Sequence, residues 1–291
     1  MCRFAPDVIY ERASSYGMSG SLLGLALGVP VVCMVLDEHR SPLSLRYASR
    51  IIATDTTLVP PRFRDKAVQV SWGANVERFH PGVDASAVRQ RWGLGEGRVV
   101  TYAGSFRDWH GVDVLVAAMA RWRGAPATVL LVGDGPERAP RPRPQGSLSP
   151  AHHRFVFTGA VPYDDMAQYL AASDVFVAPF VPERHPLSRR RGFVLDPLKL
   201  FESLAAEVPT VSVRSRNIMA LFEDGVHLSL VDSGDADALA QAIARLCDDP
   251  IAARQLARRG AEKVRREHTW RAHADQLMAL FEQVRAEARA A

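Results

Sequence analysis

Lys199 and Glu202 stand three residues apart near the front of DPLKLFESLAAEVPTV, Asp196 to Val211, a stretch otherwise rich in apolar side chains. Aspartate favours the N-cap of a helix and proline its first position, so Asp196-Pro197 predicts a helix start with Asp196 as its cap. The start falls beyond the loop that follows the strand-like DVFVAP. In open parallel sheets, ligands bind outside the carboxyl ends of strands, where helix amino termini present N–H groups and a partial positive charge. Such a place suits an anion, most simply a phosphate. Lys199 adds a full positive charge, and Glu202, one turn later on the same face, can accept hydrogen bonds from sugar hydroxyls. The alternative is a surface i,i+3 ion pair contributing about 0.2–0.5 kcal/mol. Leu198, Leu200, Phe201 and Leu204 leave little of this helix polar, which favours the ligand reading.

Two further glycine-rich turns follow strand-like runs. TYAGSFRDWHGVDVL, Thr101 to Leu115, reads as strand, Gly104-Ser105, then a loop that enters a helix at Gly111. Glycine lets backbone approach a ligand closely, and Ser105, Arg107 and His110 are available as donors. LLVGDGPER, Leu130 to Arg138, places Gly133, Asp134 and Gly135 directly after a strand. Before the Asp196 helix, His185 and Arg189 to Arg191 form a basic group. It reads either as a solvated surface or address signal, or as a phosphate contact at the same rim.

These groups need a frame to hold them. Short β-branched runs alternate with amphipathic stretches, the pattern of parallel strands joined by crossover helices, so the chain is an α/β protein. Four strands are predicted before residue 72: DVIY (7–10), VPVVCMV (29–35), RIIA (50–53) and AVQVS (67–71). Six more follow residue 98: RVVTYA, ATVLLV, RFVFTG, DVFVAP, VPTVSV and HLSLV. Six strands make a complete doubly wound domain, whereas four resemble half of one. GANVERFHPGVDAS, Gly73 to Ser86, is the natural hinge. PERAPRPRPQGSLSPAHH, Pro136 to His153, is too rich in proline for a helix and predicts an exposed loop. The predicted domains are therefore 1–80, 81–267 and a closing helix, 268–291. The closing cationic helices either pack on the domain with a solvated basic face or lie on a membrane surface.

Composition excludes some classes and leaves others open. The 291 residues are 47% apolar and 23% charged, ordinary for a two-domain protein, with a net charge of +4. That charge suits an anionic ligand, a membrane face or nucleic acid equally. Basic residues are spread over the chain without interleaved aromatics, which argues against nucleic acid. Cys2, Cys33 and Cys247 are far apart, so neither disulfide framework nor zinc site is indicated, and no metal is expected. SLLGLALGVPVVCMVL, 21–36, falls short of a bilayer span of ~20 residues and is broken by Gly28 and Pro30. It reads as helix, glycine stop and strand. With no signal peptide indicated, a cytoplasmic location is expected, with peripheral contact at the inner membrane face as a further expectation.

Together PDVIYER, ALGVPVV, IIATD, WGANVERFHP, YAGSFRDWHGVDVL, VGDGP, FTGAVPYDDMAQYLAASDVFVAP, DPLKLFESLAAEVPTV and HTWRAHADQL resemble, in order and spacing, the retaining glycosyltransferases of family 4, with the GT-B fold. The resemblance implies two Rossmann-like domains with parallel sheets, the first incomplete, and a nucleotide-sugar donor held mainly by the second in the cleft between them. It places Gly104 and Ser105 at the diphosphate and His110 where the family often has a phosphate-binding lysine. Tyr163 would lie near the base, Lys199 at the phosphates and Glu202 on the ribose, as second glutamate of the E-x(7)-E pattern. The first glutamate of that pattern falls on Val194 here. Where the family commonly has histidine or asparagine after the strand equivalent to VPVVCMV, this chain has Leu36, then Asp37, Glu38 and His39. The family's opening strand, glycine-rich loop and first helices have no counterpart here, and the helix after VGDGP is replaced by the proline-rich loop.

The reaction this implies moves a sugar from UDP-sugar or GDP-sugar to a glycan or lipid-linked acceptor. The helix amino terminus, Lys199, His110 and Arg107 would stabilise the departing diphosphate without a cofactor or metal. Donor binding would also involve Gly133, Asp134, Gly135 and Asp196, with closure about residues 73–86 excluding water. Two alternatives belong to other classes: a partner-dependent nucleotide-sugar-binding protein inactive alone, and a GT-B-like sugar-nucleotide epimerase.

Overall fold

A computed structural model of the protein describes residues 5–14, 17–37, 43–136, 153–193 and 196–290. The first elements are β1 (Ile9–Arg12), α1 (Ser19–Leu27), β2 (Val31–Val35), α2 (Leu43–Tyr47), β3 (Arg50–Ala53) and β4 (Ala67–Gln69). Then follow α3 (Ser86–Trp92), β5 (Arg98–Ala103), α4 (Val112–Arg121), β6 (Ala127–Val132), β7 (Arg154–Gly159), α5 (Met166–Ala171) and β8 (Val175–Val177). The chain closes with α6 (Ser188–Arg191), α7 (Leu198–Ala205), β9 (Thr210–Val213), α8 (Arg216–Leu221), β10 (Ser229–Val231), α9 (Ala236–Asp248), α10 (Pro250–Glu267) and α11 (Trp270–Ala290).

Every predicted strand is present and all pairings are parallel. β1 begins at Ile9 rather than Asp7, because its ladder opens with the Ile9 N–H on the Pro30 carbonyl. Asp7 instead pairs with Arg289, 3.1 Å away. Cys2, Glu38, His39, Val194 and most of the proline-rich loop, residues 137–152, lie outside the described residues.

The chain divides into two compact units. The first comprises Met1–Gly73, Val194–Asp196 and Trp270–Ala291. Its sheet runs in the single order β1-β2-β3-β4. In α11, Leu277, Leu280, Phe281 and Val284 recur at helical spacing and pack on Val32, Ile52 and Val70 of this sheet. The Arg50 guanidinium ties the helix's outer turns by two bonds to Glu287, at 2.6 and 2.8 Å. The apolar stripe of α11 is thus occupied in the core.

The second unit comprises Ala74–Phe193 and Pro197–Thr269. Its sheet has the order β10-β9-β8-β5-β6-β7. Tyr102, Phe106, Phe176, Phe201, Leu115, Met119, Leu130 and Leu131 are fully buried there. α9 and α10 start as local rules require: Asp235 caps Asp237 and Ala238, and Asp249 caps Ala252 with Pro250 in the first turn.

Candidate functional site

In the second sheet β5 has β6 on one side and β8 on the other, so the strand order reverses between β5 and β8. The crevice beyond the carboxyl ends at such a reversal is where open α/β sheets take ligands. The segments leaving these two strands meet tightly. The Val181 N–H donates to the Trp109 carbonyl at 2.8 Å. Gly111 has φ 68, and a Cβ there would stand 1.8 Å from the Pro179 carbonyl oxygen. Only glycine satisfies both the torsion and the approach.

Lys199 projects from the first turn of α7 into this crevice. Its Nζ lies 3.4 Å from the Tyr102 hydroxyl, 4.6 Å from the centroid of the Tyr102 ring and 5.2 Å from that of Phe180. Gly104 makes the room, since a Cβ on it would stand 2.4 Å from Nζ. Burial disfavours the charged ammonium and brings its pKa down to about 7, against a smaller opposing pull from Glu202. Lys199 and Glu202 form no ion pair with each other, so the surface-pair alternative fails. Glu202 Oε1 instead accepts the Tyr163 hydroxyl at 2.7 Å. Burial raises the pKa of Glu202.

His110 Nδ1 donates to the Ser105 carbonyl at 2.5 Å. A carbonyl only accepts, so the neutral ring carries its proton on Nδ1 and leaves Nε2 as a lone-pair nitrogen. Burial, helped by Lys199 and Arg107, lowers the His110 pKa to about 4. In the free protein at neutral pH the residue standing at the lysine position is therefore an uncharged imidazole, and the cationic role expected of His110 has to be induced by an arriving anion.

The other expected residues fall in three places. Gly133 and Gly135 are required by neighbouring backbone: a Cβ at Gly133 would lie 2.0 Å from the Gly104 carbonyl oxygen, and one at Gly135 2.5 Å from that of Phe106. Gly104 N–H donates to Val132 and Phe106 N–H to Asp134, so the turns after β5 and β6 are laced together. Arg107 is exposed and stacks over Trp109, 5.5 Å from its centroid. His185 meets the same indole edge-on at 4.7 Å.

Asp196 corrects an expectation. It does not cap α7: the N-cap is Pro197, with no side-chain bond to the helix. The Asp196 carboxylate belongs to the first unit and accepts the Trp72 N–H at 2.7 Å. The local preference for an Asp-Pro cap loses to a strand-end amide distant in sequence, and burial raises the Asp196 pKa to about 6. Leucine 36, at Leu36, lines a small apolar pocket of the first unit with Val35, Ala53, Val70, Trp72 and His273.

Sequence reasoning missed Tyr102, Phe180 and Arg78. Tyr102 and Phe180 look like core residues, and both are buried. Arg78 sits 5.2 Å over the Tyr163 ring and pairs with Asp164 at 2.6 Å. Its place in WGANVERFHP, read as a hinge, gave no local signal, yet the second unit begins at Ala74 and includes it. Among the described residues no cluster of three His, Cys, Asp or Glu groups could hold a metal ion.

The second unit is thus a doubly wound α/β domain with a lysine, an imidazole and glycine-lined turns at its strand reversal. The model of the family described as Glycosyl transferases group 1 matches residues 97–249, and the chain belongs to that family. It is 33% identical, over 72% of its own length and 54% of the relative, to the GDP-mannose-dependent alpha-(1-6)-phosphatidylinositol monomannoside mannosyltransferase of Mycolicibacterium smegmatis. It is 27% identical to the GDP-mannose-dependent alpha-mannosyltransferase of Corynebacterium glutamicum, over 94% of this chain and 67% of the relative. The chain thus spans 54% to 67% of the length of these two curated relatives. Among solved structures, HepE of Anabaena in complex with UDP superposes with a TM-score of 0.72 at 19% identity, covering 95% of this chain and 79% of that one. A glycosyltransferase from Rickettsia africae gives 0.76 at 14% identity, covering 96% and 76%. The fold is that of the GT-B glycosyltransferases.

Proposed function

We propose that the protein acts as a retaining, family 4 glycosyltransferase that moves a sugar from a nucleoside-diphosphate sugar to a glycan or lipid-linked acceptor. One observation carries this reading: at the strand reversal of the second unit, Lys199 at the front of α7 stands over Gly104, and His110 is anchored on the carbonyl of the next residue, Ser105. The amino end of α7 and the Lys199 ammonium stabilise the negative charge that develops on the departing diphosphate. His110 takes up a proton at Nε2 as the anion approaches and then donates to it, while Nδ1 stays on Ser105. Glu202 exchanges its Tyr163 bond for ribose hydroxyls. No protein nucleophile is assigned; the phosphate oxygen of the leaving group takes the acceptor's proton on the face from which it departs. No cofactor or metal is invoked.

GDP-mannose is the donor favoured by the names of the two relatives, and a glycolipid acceptor by that of the first. No helix among the described residues is long and apolar enough to cross a membrane; the proposal locates the protein at the cytoplasmic side of a membrane bearing its acceptor. A second reading is a partner-dependent donor-binding protein that transfers no sugar alone.

The test combines binding and turnover. Calorimetry with GDP, UDP and their nucleosides should show diphosphate-dependent binding that Lys199→Ala weakens while nucleoside affinity is kept. Equal loss for both would remove Lys199 from the phosphate site. Radiolabelled GDP-mannose with lipid acceptors should yield product whose anomeric configuration, read by NMR, is retained. Binding without product supports the second reading, and interconversion of the free sugar nucleotide without acceptor would support an epimerase.

A further inference from the structure

We propose that Tyr102 is a positioning residue of the diphosphate site: its hydroxyl joins Lys199 to the Ser105–His110 turn in one hydrogen-bonded chain. The inference rests on the nucleoside-diphosphate reading above and goes beyond it, since a buried tyrosine inside β5 would otherwise count as core.

Tyr102 is fully buried, and a buried phenol must place its one proton. It donates to the Ser105 carbonyl at 2.7 Å. The lone pairs of the same oxygen face Lys199 Nζ at 3.4 Å, and the ring face lies under that nitrogen. The Ser105 carbonyl also receives His110 Nδ1–H. The order is therefore Lys199 to Tyr102, Tyr102 to Ser105, and His110 to Ser105, with one carbonyl anchoring both basic side chains. Each bond fixes a direction. The Tyr102 oxygen holds Nζ over Gly104, where no side chain intervenes, and the shared carbonyl holds the imidazole with Nε2 turned away from its anchor. Chains of this kind strengthen one another in a low-dielectric interior. Phenylalanine at 102 would keep the packing and remove only the link.

The experiment compares Tyr102→Phe, Lys199→Ala and the unaltered protein in calorimetric titrations with GDP, UDP, guanosine and uridine from pH 6 to 9. Tyr102→Phe should keep nucleoside affinity within twofold and lower diphosphate affinity about 2- to 13-fold, the range for the loss of one typical hydrogen bond. It should also move the pH at which diphosphate affinity falls to a lower value, because the ammonium loses its acceptor. A purely structural tyrosine would not move that midpoint. Unchanged diphosphate affinity and an unchanged midpoint in Tyr102→Phe would overturn the inference while Lys199→Ala still reports on the site. Unchanged diphosphate binding in Lys199→Ala would sink the underlying reading itself. Should Tyr102→Phe fail to fold, nitrogen-15 NMR of the unaltered protein decides: His110 protonated on Nδ1, with Nε2 gaining a proton on GDP addition, is expected. A ring protonated on Nε2 in the free protein would refute the chain.

Discussion

The two sheets of this protein are built alike and end differently. Both are parallel, and both are covered by helices. The second reverses its strand order between β5 and β8, and there it gathers Lys199, His110, Tyr102 and Gly104. The first runs β1 to β4 in one direction, and the ends of β2 to β4 lead into Val35, Leu36, Ala53, Thr54, Val70 and Trp72, which line an apolar pocket with His273. A parallel sheet supplies a rim. A strand reversal opens a crevice, and the second unit sets a buried lysine beside it.

The largest test of that difference is Gly111→Ala. At φ 68 the new methyl group would stand 1.8 Å from the Pro179 carbonyl, so the segments leaving β5 and β8 must part. Left-handed torsion and displaced backbone together should cost about 3–4 kcal/mol of stability, read as a lower urea midpoint. Diphosphate binding should fall with it, since His110 adjoins the displaced residue. A variant as stable as the parent would show that the two turns are not clasped.

Next in size is the charge itself. Lys199→Ala should lower GDP or UDP affinity about 10- to 100-fold, as expected for one charge-assisted contact. The parent should show a pH dependence of the same origin. With a free pKa of about 7, Lys199 is charged below pH 7 and neutral above it. A bound anion favours the charged form, so affinity falls as pH rises through 7, by up to about tenfold per unit. Lys199→Arg keeps its charge at every pH and should flatten that slope between pH 7 and 9. A sloping profile in the arginine variant would move the titration to another group.

How far the sequence reports this contrast depends on the range of the forces involved. β-Branched runs between glycine turns are local signals, and all ten strands follow from them, in a GT-B fold. The helix carrying Lys199 and Glu202 is likewise legible from its apolar spacing. Caps are legible only when nothing distant competes: Asp249-Pro250 caps α10, whereas Asp196-Pro197 yields its carboxylate to Trp72, more than a hundred positions away in the chain. The glycines of VGDGP signal a close approach, but the approaching partner is the backbone of Gly104 and Phe106. Tyr102 could not be told from core by spacing, because its role lies in where one buried hydroxyl points. The neutral state of His110 was hidden for a similar reason, since it follows from burial and from Lys199 rather than from its neighbours in sequence.

Gly28→Ala should have the smallest effect, and it isolates what made Gly111 matter. Gly28 ends α1 with φ 67, within a degree of Gly111, yet nothing lies within 4 Å of where its Cβ would stand. Torsional strain of about 1–2 kcal/mol is then the only penalty. Alanine also restricts the unfolded chain, which offsets about 0.4–1 kcal/mol of it. The net loss should be near 1 kcal/mol, with diphosphate affinity unchanged. Equal losses for Gly28→Ala and Gly111→Ala in urea titrations would mean that torsion alone governs both glycines. The close contact at the strand reversal would then have no part in holding the proposed anion site together.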